Sequence, residues 1–508
     1  MLNTEPASAD RLDQRRAGIL LHLTSLPGSG PCGTLGPQAH SFLNFLVDCG
    51  LSVWQMLPVG PTQADGSPYQ TNSVHAGNPR LIALEPLRER GWLQALPKPE
   101  ETTDTAKQEA LQRAWNGFRS RATATDRQAL AEFEAANDYW LDTYALFRTL
   151  REEQQVPWWD WPLSLRQRDP TALEQARRRR GEDLDYIRFE QFLFFGQWQL
   201  LRGHANAVGV ELFGDMPIFV AHDSAEVWAR PDDFDLNADG SPRVVAGVPP
   251  DYFSATGQRW GNPPYRWDRM RADGFRFWLD RIRTQVRLFD LVRIDHFRGF
   301  EAYWEIPAEE EFAINGRWVK ACGDELFACL IRQLGQLPLI AEDLGVITPE
   351  VEALRKKYRL PGMKVLQFAF SGETDNPYLP FHHDRDSLVY TGTHDNDTSL
   401  GWYQSLDVQA RSYVDAYLGH SSEAMPWPLI RCALGSRAHL AILPMQDILG
   451  LDGNHRMNLP GTSEGNWRWR FSWDQVEPEL AGRMRHMGQL YGRSGTVVGA
   501  VPGSSGAA

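Results

Sequence analysis

Eight short apolar runs punctuate the chain, each closed by turn or polar residues: Gly18–Leu23, Leu51–Pro58, Val210–Phe213, Phe289–Ile294, Leu337–Ala341, Met363–Phe370, Leu388–Thr391 and His439–Leu443. Runs of this length, bounded by Gly or Pro and lacking polar alternation, read as strands of a parallel sheet buried on both faces. Helical patterns lie between most of them, at Ala39–Cys49, Phe275–Phe289 and Pro349–Tyr358. Eight strands alternating with helices predict an α/β fold, a closed (β/α)8 TIM barrel. A doubly wound open sheet is the rival, and strand counting does not separate the two.

One gap breaks the rhythm. About 150 residues separate the second run, ending near Val59, from the third, beginning near Val210, far more than a crossover helix needs. Within it Leu130, Phe133, Trp140, Tyr144 and Phe147 fall at helical spacing, as do Ile187, Phe194, Phe195, Trp198 and Leu201. The pattern predicts a large, mainly helical insertion between strands 2 and 3. The expected division is 17–80 for barrel strands 1–2, 81–200 for the helical insertion subdomain and 201–493 for the remainder of the barrel. Residues 494–508, rich in Gly, Ser, Ala and Val, read as a disordered tail. Arg177–Arg180 reads as the last turn of a helix capped by Gly181 rather than as a nucleic-acid patch.

With 52 Lys+Arg against 65 Asp+Glu, the 508-residue chain carries a net charge of -13, which disfavours phosphate backbones and anionic membranes as partners. No apolar run approaches the roughly 18 residues of a membrane span, and residues 1–16 lack the apolar stretch of a secretory leader. Five cysteines, never spaced CxxC, predict neither a disulfide framework nor a zinc site, so the expected compartment is cytoplasmic. Nineteen Trp and 14 Tyr fit a large core, and they also fit sugar binding, in which flat rings cover apolar pyranose faces. Gly28–Gly33 matches GxGxxG, but Pro31 and Pro37 push the next helix beyond Gly33, and no acid follows the second strand. That motif reads as a loop.

Barrel enzymes place catalytic residues where strands end. Four runs end in carboxylates: Gly214-Asp215-Met216-Pro217, Arg293-Ile294-Asp295-His296, Ala341-Glu342-Asp343-Leu344 and Thr393-His394-Asp395-Asn396-Asp397. Asp215 or Asp343 alone could be a helix N-cap, but four acids at strand ends imply a shared site. Metal binding and glycoside transfer or hydrolysis both use clustered carboxylates. Two features favour sugar. Arg293 lies two residues before Asp295, on the same strand face, where it would keep Asp295 ionised and nucleophilic, while a buried Glu342 would hold the proton of a general acid. Trp260 and Trp467 sit in Gly/Asn-rich loops rather than helical stripes.

These residues, with Ser67-Pro68-Tyr69-Gln70, Ala76-Gly77-Asn78-Pro79, Gly247–Asp251, Gly257–Pro263 and Asn458–Thr462, resemble the 4-α-glucanotransferases (amylomaltase or disproportionating enzyme), glycoside hydrolase family 77, from Leu20 to about Tyr491. The resemblance implies that Asp295 is the nucleophile, Glu342 the acid/base, and Asp395 the group that grips sugar hydroxyls at the transition state. It implies substrate-binding roles for Ser67, Tyr69, Asp215, Gln258, Trp260, Arg293, His296, Asp343, His394, Asn466 and Trp467, with Tyr69 stacked under the sugar. It implies no metal and no other cofactor. Its partners are maltooligosaccharides and other α-1,4-glucans, with no nucleic acid and no membrane, and its state is a monomer or small homo-oligomer. Long loops near 248–264 and 458–467 read as lids that exclude water, favouring transfer over hydrolysis. The chain departs from the family where it has Gly33-Thr34-Leu35-Gly36, and Gln63-Ala64-Asp65-Gly66 without an aromatic. A maltooligosaccharide α-1,4 hydrolase, an inactive glucan-binding barrel and a metal-dependent phosphohydrolase are the alternatives.

Overall fold

The computed structural model describes residues 14–98, 103–250, 254–462 and 464–494. In chain order its strands are β1 (Arg16–Leu20), β2 (Val53–Gln55), β3 (Glu211–Pro217), β4 (Val244–Val248), β5 (Gln258–Arg259), β6 (Leu291–Asp295), β7 (Ala302–Pro307), β8 (Arg317–Lys320), β9 (Leu339–Ala341), β10 (Gly362–Val365), β11 (Ser387–Tyr390) and β12 (Leu440–Pro444). Eight of these form one sheet in the order β10-β11-β12-β1-β2-β3-β6-β9, every pair parallel. They are the eight apolar runs.

Closure separates the barrel from the open sheet. The two end strands meet where the Ala341 N–H donates to the Pro361 carbonyl at 2.9 Å, so the sheet curls into a nearly closed barrel. Alternation along each strand then sorts side chains between two cores. Leu20, Val53, Phe213, Leu291, Ile340, Met363, Leu388, Tyr390, Leu440 and Ile442 fill the interior. Their neighbours Ile19, Trp54, Leu212, Val292, Val389 and Ala441 face outward to the helices. Both sets are apolar, which is why the runs show no polar alternation. Gly18 is fixed by β2, because a Cβ there would lie 2.3 Å from the Val53 carbonyl.

The remaining strands form a four-stranded antiparallel sheet, β5-β4-β7-β8, absent from the sequence reading. Its β5 is two exposed residues and its β8 reads Arg-Trp-Val-Lys, too short and too polar to stand out. Part of the loop expected at 248–264 is therefore strand, and residues 251–253 lie outside the described residues.

Between β2 and β3 the chain forms helices at Asp104–Arg121, Ala124–Ala136, Leu141–Gln154, Pro170–Arg179 and Gly181–Ala207. The last runs through position 200, where a boundary was expected, and Trp198 Nε1 donates to the Leu288 carbonyl on the barrel side at 2.8 Å. Gly181 is the first residue of this helix, not a left-handed cap, so the turn after Arg180 leads straight into it. The arginine run is held by carboxylates: Arg177 by Asp142, Arg179 by Glu153 and Arg180 by Asp183. The Gly28–Gly33 segment is a loop, and the next helix starts at Pro37. Among the described residues no helix is long and apolar enough to cross a membrane. All five cysteines are unpaired. Of the expected tail, residues 495–508 lie outside the described residues.

Candidate active site

The site begins with strand register. Asp215 and Arg293 are direct partners across β3 and β6, and Pro217 faces Asp295 two residues further along. Arg293, almost wholly buried, divides its guanidinium between two carboxylates: Nη1 donates to Asp215 Oδ2 at 2.6 Å and Nη2 to Asp295 Oδ1 at 2.7 Å. Such charge-assisted bonds are the strong ones, and the planar fork fixes both acids at once. The Tyr69 hydroxyl donates to Asp215 Oδ2 at 2.7 Å and lies 2.9 Å from His394 Nε2, its ring stacked on the imidazole at 5.3 Å between centroids. Burial next to Asp215 pushes the Tyr69 phenol well above its ordinary pKa, so it stays protonated. Asp215 Oδ1 is buried with no protein partner. Neither Asp215 nor Asp343 caps a helix.

Glu342, directly after β9, is held by two backbone donors: the His296 N–H reaches Oε2 at 2.7 Å and the Leu344 N–H reaches Oε1 at 2.9 Å. His296 adopts φ 54°, the left-handed turn that ends β6 and aims its N–H at β9. Burial raises the Glu342 carboxyl above its usual range against the pull of Arg293. Asp295 is raised too, by burial and then by Asp215, Glu342 and Asp395, with Arg293 opposing. The cluster therefore keeps a proton that isolated carboxyls would lose.

Asp395 follows β11 and is the most open of the three, its side chain 46% exposed. Asn458 Nδ2 donates to its Oδ1 at 2.6 Å, and His394 Nε2 lies 3.3 Å from Oδ2. Burial lowers the His394 pKa, with Asp395 opposing. Trp467, at φ 64°, brings its ring to 5.9 Å from Tyr69 and 6.0 Å from His394. Asn466 closes its own loop, accepting the Leu459 N–H at 2.9 Å and donating to Thr462. On the other side Trp260 packs edge-on against His296 at 4.8 Å and donates Nε1 to Gln258 Oε1 at 3.1 Å. The Ser67 hydroxyl accepts the Tyr69 N–H at 3.3 Å, and Gln70 Nε2 reaches the Trp260 carbonyl at 3.5 Å.

This arrangement can be compared with known proteins. The sequence model of one family, described as 4-alpha-glucanotransferase, matches residues 21–475. The chain belongs to that family. It is 49% identical over 491 residues to a 4-alpha-glucanotransferase of Thermus thermophilus, covering 94% of this chain and 98% of the relative. It is 48% identical over 498 residues to one of Synechocystis, covering 95% and 99%. Its fold matches an amylomaltase from Streptococcus agalactiae, solved with acarbose, at TM-score 0.91 and 34% identity, over 95% of this chain and 100% of that one.

One expectation shifts, and two residues are added. Asp343, expected to hold sugar, turns away from the cluster: Oδ1 accepts the Met363 N–H at 2.7 Å and Oδ2 lies 3.1 Å from Arg355. It fastens the β9–β10 seam, where backbone bonding alone is sparse. Asn458 and Arg456 enter beside Asp395, although the sequence reading gave them no role; the Asn458–Thr462 motif was the available signal. His22, at the end of β1, is buried beside His394, with burial lowering its pKa to about 3. Among the described residues no three His, Cys, Asp or Glu side chains are grouped to hold a metal ion.

Proposed function

We propose that this enzyme moves α-1,4-linked glucan segments between maltooligosaccharides by a retaining double displacement. The observation that carries the reading is the Arg293 fork, which hydrogen-bonds Asp295 at 2.7 Å, whereas Glu342 is held by the backbone N–H groups of His296 and Leu344. Negative charge settles on Asp295, whose side chain keeps 30% exposure, and the proton settles on the more deeply buried Glu342. Arg293 occupies Asp295 Oδ1, leaving Oδ2 for the anomeric carbon. As that bond forms, the glycosidic bond breaks and Glu342 gives its proton to the leaving oxygen. An acceptor 4-hydroxyl then attacks the glycosyl ester, its proton passes to Glu342, and Asp295 is released. Asp395, His394 and the unpartnered Asp215 Oδ1 take hydroxyls of the glucosyl unit at the cleavage point. Tyr69 and Trp467 supply apolar faces, and the Gln258–Trp260 and Asn458–Trp467 segments cover the acceptor.

Transfer outcompetes hydrolysis because these segments order an acceptor and exclude water. We assign the helices between β2 and β3 to a subdomain, supported by mutual packing of Trp115, Phe118 and Phe189. The five unpaired thiols fit a reducing cytoplasm, and transfer between α-1,4-glucans fits a role in starch or glycogen metabolism. Incubation with maltotriose tests the reading. Longer glucans plus glucose at constant total reducing ends are expected; rising reducing ends with only shorter products would make it a hydrolase, and no change would make it a binding barrel.

A further inference from the structure

Asp395 is held unlike its two companions. Asp295 and Glu342 are fixed from within the barrel by Arg293 and by backbone donors, whereas Asp395 stands largely in the open. Its side chain has two partners: His394, at 3.3 Å and shared with the Tyr69 hydroxyl, and Asn458 at 2.6 Å. Its own carbonyl accepts Arg456 Nη2 at 2.8 Å. Arg456 and Asn458 belong to one short stretch at the neck of the 458–467 loop. That neck is pinned twice: the Trp467 N–H donates to the Met457 carbonyl at 2.8 Å, and the Leu459 N–H donates to Asn466 Oδ1 at 2.9 Å. Asn458 lies between these pins, so its amide is presented by a braced loop.

We infer that Asn458 is a positioning residue for Asp395, so that the loop covering the site also sets the geometry of the carboxylate. This rests on the transition-state role proposed for Asp395. An exposed carboxylate without Asn458 can rotate among its staggered side-chain positions, and a misplacement of about 1 Å costs about 100-fold in rate. The consequence falls on the chemical step rather than on substrate binding.

The test uses full-length enzyme, maltotriose and four variants: Asn458→Ala, Asn458→Asp, Asp395→Ala and the double variant Asn458→Ala/Asp395→Ala. Wild type must first produce the glucan ladder; if it does not, the proposed function fails and not the positioning role. Asn458→Ala is expected to lower kcat about 10- to 100-fold with KM within about 3-fold and an unchanged melting temperature. Asn458→Asp places a second carboxylate against Asp395, in a setting that already includes His394, Tyr69, Arg293, Arg456, Asp295 and Asp397. It should shift the acidic limb of the kcat profile to higher pH, because one acid of such a pair holds its proton longer. In the double variant with Asp395→Ala, loss of Asn458 should have no further effect, since its partner is gone. A kcat within about 3-fold of wild type in Asn458→Ala, an unmoved acidic limb in Asn458→Asp, or an undiminished loss in the double variant would each overturn the inference.

Discussion

Replacing Arg293 by Lys probes the centre of the site while keeping its charge. The guanidinium makes two bonds in different directions, 2.6 Å to Asp215 and 2.7 Å to Asp295, and a lysine ammonium is a single point that cannot occupy both positions. Asp215 is 1% exposed against 30% for Asp295, so the ammonium settles where an unpaired charge would cost more, beside Asp215. Asp295 then loses a hydrogen bond to a charged group, about 1.5–3 kcal/mol, which corresponds to about 10- to 150-fold in kcat/KM. As the proposed nucleophile, Asp295 acts only when ionised, so activity is expected to fall as pH drops through its pKa. Losing Arg293 raises that pKa further, and the acidic limb moves to higher pH. Initial rates of glucose release from maltotriose across pH 4–9 measure both effects, and circular dichroism melting checks folding. Arg293→Lys activity within 3-fold of wild type with an unmoved acidic limb would refute the claim that the fork sets the charge on Asp295.

Other expectations follow from particular contacts. Glu342→Gln cannot give up a proton and should lower transfer about 100- to 10,000-fold, and an unaltered rate would remove Glu342 from the acid/base role. Glu226, buried behind Ser73 with Oε2 unpartnered, is raised to about 7 by burial, so the folded state holds its proton more tightly than the unfolded one. Its stabilising effect is present below pH 4.5 and lost as pH rises through 7, so Glu226→Gln should gain up to about 3 kcal/mol at pH 8 and nothing at pH 4, read by urea unfolding. Gly77→Ala would put Cβ 2.0 Å from the Phe194 ring, while Gln191 bonds both backbone groups of residue 77 at 2.8 and 3.0 Å and prevents retreat. It should lose at least about 1–3 kcal/mol, and an unchanged unfolding midpoint would show that the ring can move.

Much of the fold was legible because a strand buried on both faces has no place for polar side chains. Each barrel strand is thus an apolar run that stops where the chain leaves the core, and polar residues at the stops mark the mouth. That reasoning located Asp215, Asp295, Glu342 and Asp395 without coordinates. It missed β4, β5, β7 and β8, whose burial comes partly from one another and leaves little trace in the sequence. It also misplaced Asp343, since a carboxylate at a strand end looks the same whether it faces a ligand or the neighbouring strand.

The sequence alone determined which residues stand at the strand ends, because burial and backbone hydrogen bonding constrain each strand locally. Partnership was decided only by tertiary structure. Asp215 and Arg293 lie 78 positions apart and Asn458 and Asp395 lie 63 apart, and each pair meets through register or loop closure. Neither can be read from one segment, because register is a relation between strands. Whether an acid is a nucleophile, a proton donor or a strand fastener depends on what faces it, and that is settled only when the barrel closes.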